Sequence, residues 1–272
     1  MIRRLRNEDF RLIYDFCRLN STFNLYFLGN LESLGVESDI CEFWGSFDEQ
    51  GRLNGVLMRY MSGWDIADAE GCDYEAFARI VDEHPAGATR LQDNPQHVAS
   101  FLPFLRRYRA VKVTRERLCE LDAKDFNPKC KPWPTRRATM ADYEALCAFY
   151  ADAGSMARTP RGVQRPLESG RVFVTEVKGE IVSSALTNAE TYTLAMIGGV
   201  YTPPRHRGRG YARAAMVALC HSLLDDGLRP VLYYANPAAG AIYRGLGFRE
   251  LGWWRSVWLD PVVPTSSSSE ET

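Results

Sequence analysis

Between Tyr192 and Gly227 the chain reads as a strand, a glycine-bearing loop and a long amphipathic helix, an order that limits what its neighbours can build. Tyr192–Tyr201 is the strand. Pro203 and Pro204 stop it, and Gly208 and Gly210 let the backbone turn tightly. Ala212, Ala215, Met216, Leu219, Cys220, Leu223 and Leu224 then follow one face of a 3.6-residue repeat, with Gly227 as the natural stop. The first amides of such a helix have no internal partners, and the helix dipole is positive there, so the junction suits an anion and a diphosphate fits it. Arg205, Arg207 and Arg209 add positive charge around the loop.

The flanking segments extend the pattern. Arg171–Val177 and Ile181–Thr187 read as strands joined by a hairpin turn at Lys178-Gly179-Glu180. Pro230–Ala235 is strand-like, and Asn236-Pro237 supplies an N-cap followed by proline at the first helical position. The short helix that follows carries Tyr243 and ends at Gly245-Leu246-Gly247-Phe248. A last strand, Leu251–Leu259, has apolar side chains on both faces, including Trp253, Trp254 and Trp258.

A chain of 272 residues suits two domains. The opening Arg3-Arg4-Leu5-Arg6-Asn7-Glu8-Asp9-Phe10 is echoed 133 residues later by Arg136-Arg137-Ala138-Thr139-Met140-Ala141-Asp142-Tyr143, each a strand entering a helix. Between them Asn127–Pro134 holds three prolines, which disfavour helix and sheet alike. The expected division is therefore a first domain over 1–126, a linker over 127–134, a second domain over 135–261 and a disordered serine-rich tail over 262–272. In the first half, Asp9–Leu19 is amphipathic and Cys41–Phe47 and Gly55–Met61 are strand-like about a turn at Asp48–Gly51. No glycine-rich phosphate loop precedes residue 130.

With 33 basic and 34 acidic side chains the chain has no global field to attract nucleic acid, and small-molecule partners are favoured. No apolar run reaches the length of a membrane helix, and the charged start is no signal peptide, so no membrane partner and a cytoplasmic location are expected. The seven cysteines form no C-x-x-C pair, so reduced thiols and no metal site are expected.

Gly198–Ala212, with R-x-x-G-x-G from Arg205 to Gly210, resembles the coenzyme A-binding strand, loop and helix of GNAT acetyltransferases. Asn236–Phe248 is similar to that family's later N-x6-Y-x3-G-F helix. The likeness covers roughly residues 135–260, and residues 1–125 resemble the degenerate first copy of tandem GNAT proteins only weakly. It implies an α/β (α+β) fold with a mixed, mostly antiparallel twisted sheet flanked by helices, in two tandem GNAT-like domains.

The resemblance also implies an acetyl-coenzyme A or other acyl-coenzyme A cosubstrate, no metal, and direct transfer to a primary amine of a small molecule or peptide. Val200, Tyr201 and Thr202 would pair with the pantetheine arm, and backbone amides of Arg207, Gly208, Arg209, Gly210, Tyr211 and Ala212 would cradle the diphosphate. Asn236 would bond near the pantetheine or cap its own helix, and Tyr243 would be the general acid. Many members place a glutamate base where this chain has Ala195, Met196 and Ile197. Glu176, Glu190 and His206 lie near in sequence but read as surface residues, so no base is assigned and a water chain also fits. Arg158, Arg161 and Arg165 fall in the segment that shapes the acceptor site. A non-catalytic acyl-coenzyme A sensor and a tRNA-dependent aminoacyltransferase are the alternative readings.

Overall fold

A computed structural model describes residues 1–69 and 71–262; of the expected tail, 263–272 lie outside the described residues. The described residues form two units, one of 1–116 with 253–262, the other of 117–252.

The first unit holds strands β1 (Ile2–Arg4), β2 (Cys41–Phe47), β3 (Leu53–Tyr60), β4 (Gly63–Asp68) and β5 (Arg90–Asp93), and helices α1 (Phe10–Cys17), α2 (Leu25–Leu34), α3 (Tyr74–Glu83) and α4 (Pro95–Phe101). Neighbours along the strands alternate between two cores, as the two-residue period of a sheet requires. Phe43 and Met58 join Ile13, Phe27 and Leu31 on the α1/α2 face, while Trp44 and Leu57 join Phe77 and Phe101 on the α3/α4 face. The strands are antiparallel except β4 and β5, which run parallel over Gly63–Asp65 and Arg90–Gln92.

The second unit follows the same scheme. It holds β7 (Thr135–Arg137), β8 (Val172–Val177), β9 (Glu180–Glu190), β10 (Leu194–Tyr201) and β11 (Arg229–Tyr234), with α5 (Tyr143–Ala151), α6 (Pro160–Ser169), α7 (Tyr211–Asp225) and α8 (Pro237–Leu246). Here β10 and β11 are the parallel pair. The expected hairpin joins β8 to β9, with Lys178 and Gly179 both at positive φ (53° and 78°), as a two-residue hairpin loop demands.

Two long strands, β6 (Tyr108–Glu120) and β12 (Arg249–Pro261), each contribute to both units. The last strand was expected to close the second half. Instead Arg255–Trp258 of β12 pair antiparallel with Arg90–Asp93 of β5, and in the second unit it is Arg117–Glu120 of β6 that pair with β11. The divisions therefore fall at 116/117 and 252/253, displaced from the proline-rich segment because each half sends its final strand onward.

The echoed motif has the same local structure twice. Arg3 grips Asp9 with both Nη atoms, at 2.7 and 2.6 Å, and the Arg6 amide donates to Asp9 at 2.9 Å. Arg136 grips Asp142 at 2.9 and 2.7 Å, and the Thr139 amide donates at 2.8 Å. In each case the arginine lies in the first strand of its half and the aspartate opens the first helix.

Candidate active site

The site grows out of the place where β10 and β11 part. Their pairing covers only Leu194–Met196 with Arg229–Val231, after which β11 turns to its partnership with β6. Two irregularities shape the departing end of β10. Met196 faces Ala189 and Ile197 faces Thr187, so Asn188 is the extra residue of a bulge on β9. Gly198 faces Leu186 and Tyr201 faces Ser184, which leaves one residue too many on β10. Gly199 absorbs it at φ +55°. A β-carbon there would also lie 2.9 Å from Arg158 Nε, so both backbone and space require glycine. Val200, Tyr201 and Thr202 follow along the departing strand, and the Tyr201 carbonyl already accepts from the Ser183 hydroxyl at 3.1 Å.

At the end of β10 the loop delivers α7. Gly208 and Gly210 have φ of +77° and +90°. Their positions explain a run of free donors: the amides of Gly208, Arg209, Gly210, Tyr211, Ala212 and Arg213 have no partner among the described residues, the first intrahelical bond being Ala214 to Gly210. Arg207 departs from the expected set, since its amide donates to the Pro204 carbonyl at 3.2 Å and its Nε to the Thr202 carbonyl at 3.0 Å. Arg205 is drawn off by Glu180 at 2.6 Å, so its charge is spent on a surface pair. Arg209 has no ion-pair partner among the described residues.

The proline-rich segment takes a part that sequence reading missed. Trp133 Nε1 donates to the Arg209 carbonyl at 3.0 Å and its ring meets Tyr211 edge-on at 4.6 Å. Arg213 donates to the carbonyls of Lys129, Asn127 and Gly245 at 2.6, 3.1 and 3.0 Å. The segment expected to be a linker thus braces the loop from behind. A tryptophan among prolines was the available signal.

On α8, the Asn236 side chain accepts from the Ala238 amide at 2.9 Å and caps the helix, leaving its own NH2 without a partner among the described residues. Tyr243 is 7% exposed and packs against Tyr234 and Phe248. Its hydroxyl has no hydrogen-bond partner among the described residues, yet it is not one of the oxygens the fold seals completely. Burial raises the phenol pKa above its ordinary value, with Cys119 and Cys220 nearby adding to the effect. The helix is stopped by Gly247 at φ +104°. A β-carbon there would lie 1.9 Å from the Asp125 carbonyl oxygen, so the position admits no side chain.

Residues 130–248 match the family model of the acetyltransferase (GNAT) family. The chain carries a GNAT domain.

Solved structures agree at the level of fold. A GCN5-related N-acetyltransferase from Sphaerobacter thermophilus is 16% identical with a TM-score of 0.65, over 97% of this chain and 96% of that one. A tandem GNAT protein from the clavulanic acid biosynthesis pathway gives 13% and 0.60, over 97% and 99%. A Drosophila protein gives 12% and 0.71, over 96% and 98%. No curated protein matches the chain by sequence.

Within the GNAT domain the wall opposite Tyr243 comes from α5 and the segment before α6. Val200 joins the core that holds Tyr243, and Tyr201 joins the one that holds Tyr150, so the two flank opposite faces of β10. The Tyr150 hydroxyl donates to the Gly199 carbonyl at 2.5 Å. Arg158 donates to Asn188 Oδ1 at 2.7 Å and to the Gly162 carbonyl at 3.1 Å, and lies 5.6 Å over the Tyr150 ring. Ala195, Met196 and Ile197 are buried, and the three nearby titratable residues are engaged elsewhere: Glu176 with Arg136, Glu190 with Arg171, His206 with Glu180. Among the described residues no group of three or more His, Cys, Asp or Glu is placed to hold a metal, and no helix is long and apolar enough to cross a membrane. All seven cysteines are free, with Cys130 exposed rather than in the core.

Proposed function

We propose that the protein is an acetyl-coenzyme A-dependent N-acetyltransferase that acts on a primary amine by direct attack. The observation that carries this reading is the run of six amides from Gly208 to Arg213, unpaired among the described residues, at the end of a strand that has left its neighbour, with the Tyr243 hydroxyl likewise unpartnered on the adjoining helix. Free amides at a helix N-terminus, with glycines where a side chain would obstruct, fit a diphosphate. Arg209 contributes the remaining charge, and the departing edge of β10 at Val200 offers backbone groups to an extended arm, as a missing strand would.

Acetyl-coenzyme A, when bound, supplies a thioester whose sulfur needs a proton as it leaves. Tyr243 Oη holds that proton: an ordinary phenol pKa is about 10, and burial moves this one further up, so the group is protonated throughout the neutral range. An alkyl ammonium with a pKa near 10.4 is only about 0.04% free amine at pH 7; residues 195–197 carry no carboxylate themselves, and Glu190, the strand partner of Ala195, is paired with Arg171.

The first unit supports a tandem reading in which it is the degenerate copy. It repeats the strand scheme and the arginine–aspartate grip, but α3 opens on Asp73, whose carboxylate accepts from the Ala76 amide at 2.9 Å and so occupies the place of an anion. The primary test is calorimetry with acetyl-coenzyme A followed by thiol release over an amine panel. Binding with turnover is expected. Binding without turnover on any amine indicates a sensor, and no binding removes the reading.

A further inference from the structure

We propose that Arg158 anchors a carboxylate on the acceptor, making the acceptor a primary amine that carries a carboxylate, such as an amino acid. The inference rests on the transferase reading above and specifies its substrate class.

A guanidinium that is withdrawn from water normally has a carboxylate beside it. The two most buried arginines obey this: Arg59 pairs with Glu42, and Arg171 with Glu190 and Asp226. Arg158 does not. It is half-buried, yet its partners among the described residues are only the neutral Asn188 Oδ1 and Gly162 carbonyl, together with the Tyr150 ring. Those contacts orient the group and stiffen it without neutralising it.

Its position supplies the second reason. Nε, which has no hydrogen-bond partner among the described residues, and Nη2, which already donates to Asn188 Oδ1, lie 2.9 and 3.0 Å from where a Gly199 β-carbon would sit, so Nε is the donor left for a carboxylate. Gly199 is the bulge just beyond the last β10–β11 pair, so the unneutralised group flanks the mouth of the parted strands from the face opposite Tyr243. An amine approaching from that side brings its substituents past Arg158. One guanidinium balances one carboxylate. A phosphate dianion would leave charge over, since no second cation among the described residues is bonded to this cluster.

The test compares amino acids with their decarboxylated amines, with phosphoethanolamine as the phosphate arm, by thiol release from acetyl-coenzyme A. Wild type should prefer the carboxylated member of each pair, and Arg158→Gln should shrink that preference roughly tenfold to a hundredfold through KM, as expected for charge-assisted hydrogen bonds. Arg158→Lys should restore part of it. Acetyl-coenzyme A affinity should not follow these changes. Wild-type protein alone offers a second measurement: N-acetylamino acids should bind by calorimetry where the corresponding N-acetylamines do not. Turnover without a carboxylate preference, a preference that survives Arg158→Gln, a preference for phosphoethanolamine, or turnover on no carboxylated amine despite acetyl-coenzyme A binding overturns the proposal. Failure to bind acetyl-coenzyme A at all instead overturns the reading beneath it.

Discussion

The Tyr150 hydroxyl donates to the Gly199 carbonyl at 2.5 Å across 49 residues of sequence, from a position with no solvent exposure. This bond ties helix α5 to the bulge at which β10 departs from its neighbour, so the shape of the strand end depends on a helix that precedes it by two strands. Burial pushes the Tyr150 phenol up to about 12, which keeps the donor proton in place through the neutral range.

Tyr150→Phe should therefore leave a buried carbonyl unpaired and destabilise the protein by about 1–3 kcal/mol. Thermal or urea unfolding measures the loss. Because the bulge also seats Arg158, acceptor KM should rise in the same variant; stability and KM both at wild-type values would show that the bond does not hold the bulge.

Tyr243→Phe should lower turnover by roughly a hundredfold or more, the ordinary worth of a positioned proton donor, while the dissociation constant for acetyl-coenzyme A stays close to wild type. Its hydroxyl has no partner to lose among the described residues, so stability should change little. Single-turnover rates check this in a step limited by chemistry, and an unchanged rate removes Tyr243 from the role.

Gly208→Ala and Gly210→Ala isolate backbone conformation, because a β-carbon meets nothing within 4 Å at Gly208 and nothing nearer than Trp133 Nε1, at 3.7 Å, at Gly210. Holding an L-residue in these left-handed conformations costs roughly 1–2 kcal/mol. The loss should appear either in unfolding free energy, if the loop keeps its shape, or in acetyl-coenzyme A affinity, if it does not. Calorimetry and denaturation on the same samples should together account for it, and wild-type values in both would contradict the assigned loop.

Asp65 gives a pH signature to the first unit. Buried opposite Gln92, its carboxyl is pushed up to about 7 by loss of water, with Asp93 adding to the shift and Arg90 opposing it. The folded protein thus keeps a proton that the unfolded chain releases near pH 4. Stability from this group is fully present below about pH 4 and is lost as pH rises towards 7, by at most about 1.4 kcal/mol per pH unit. Asp65→Asn should flatten that decline and be more stable than wild type above pH 7. Urea titrations at pH 5 and pH 7.5 decide it; parallel declines in the two proteins would place the charge elsewhere.

Much of the site was legible because it is local. The glycines at 208 and 210, the Asn236 cap and the stop at Gly247 each depend on conformations within a few residues, and the structure has them where the sequence put them. Of the expected apolar face of α7, Ala215, Met216, Leu219, Cys220 and Leu223 are buried, Ala212 and Leu224 only partly, and Tyr211, Ala214 and Val217 are buried as well. Strand edges moved by one to three residues, as with β9, which runs on to Glu190 beyond the expected Thr187, because the end of a strand is set by its partner rather than by its own side chains.

Sequence alone therefore determined the strand–loop–helix junction, the helix that presents Tyr243 and the repeated entry of a strand into a helix, all products of short-range dihedral preference and side-chain periodicity. Tertiary structure decided which strand pairs with the last strand of each unit, β6 with β11 and β12 with β5. It also decided that Trp133 braces Arg209 and that Arg158 stands unneutralised against Gly199. Those contacts join residues tens of positions apart, and no periodicity along a chain encodes which distant side chain will fill a given space.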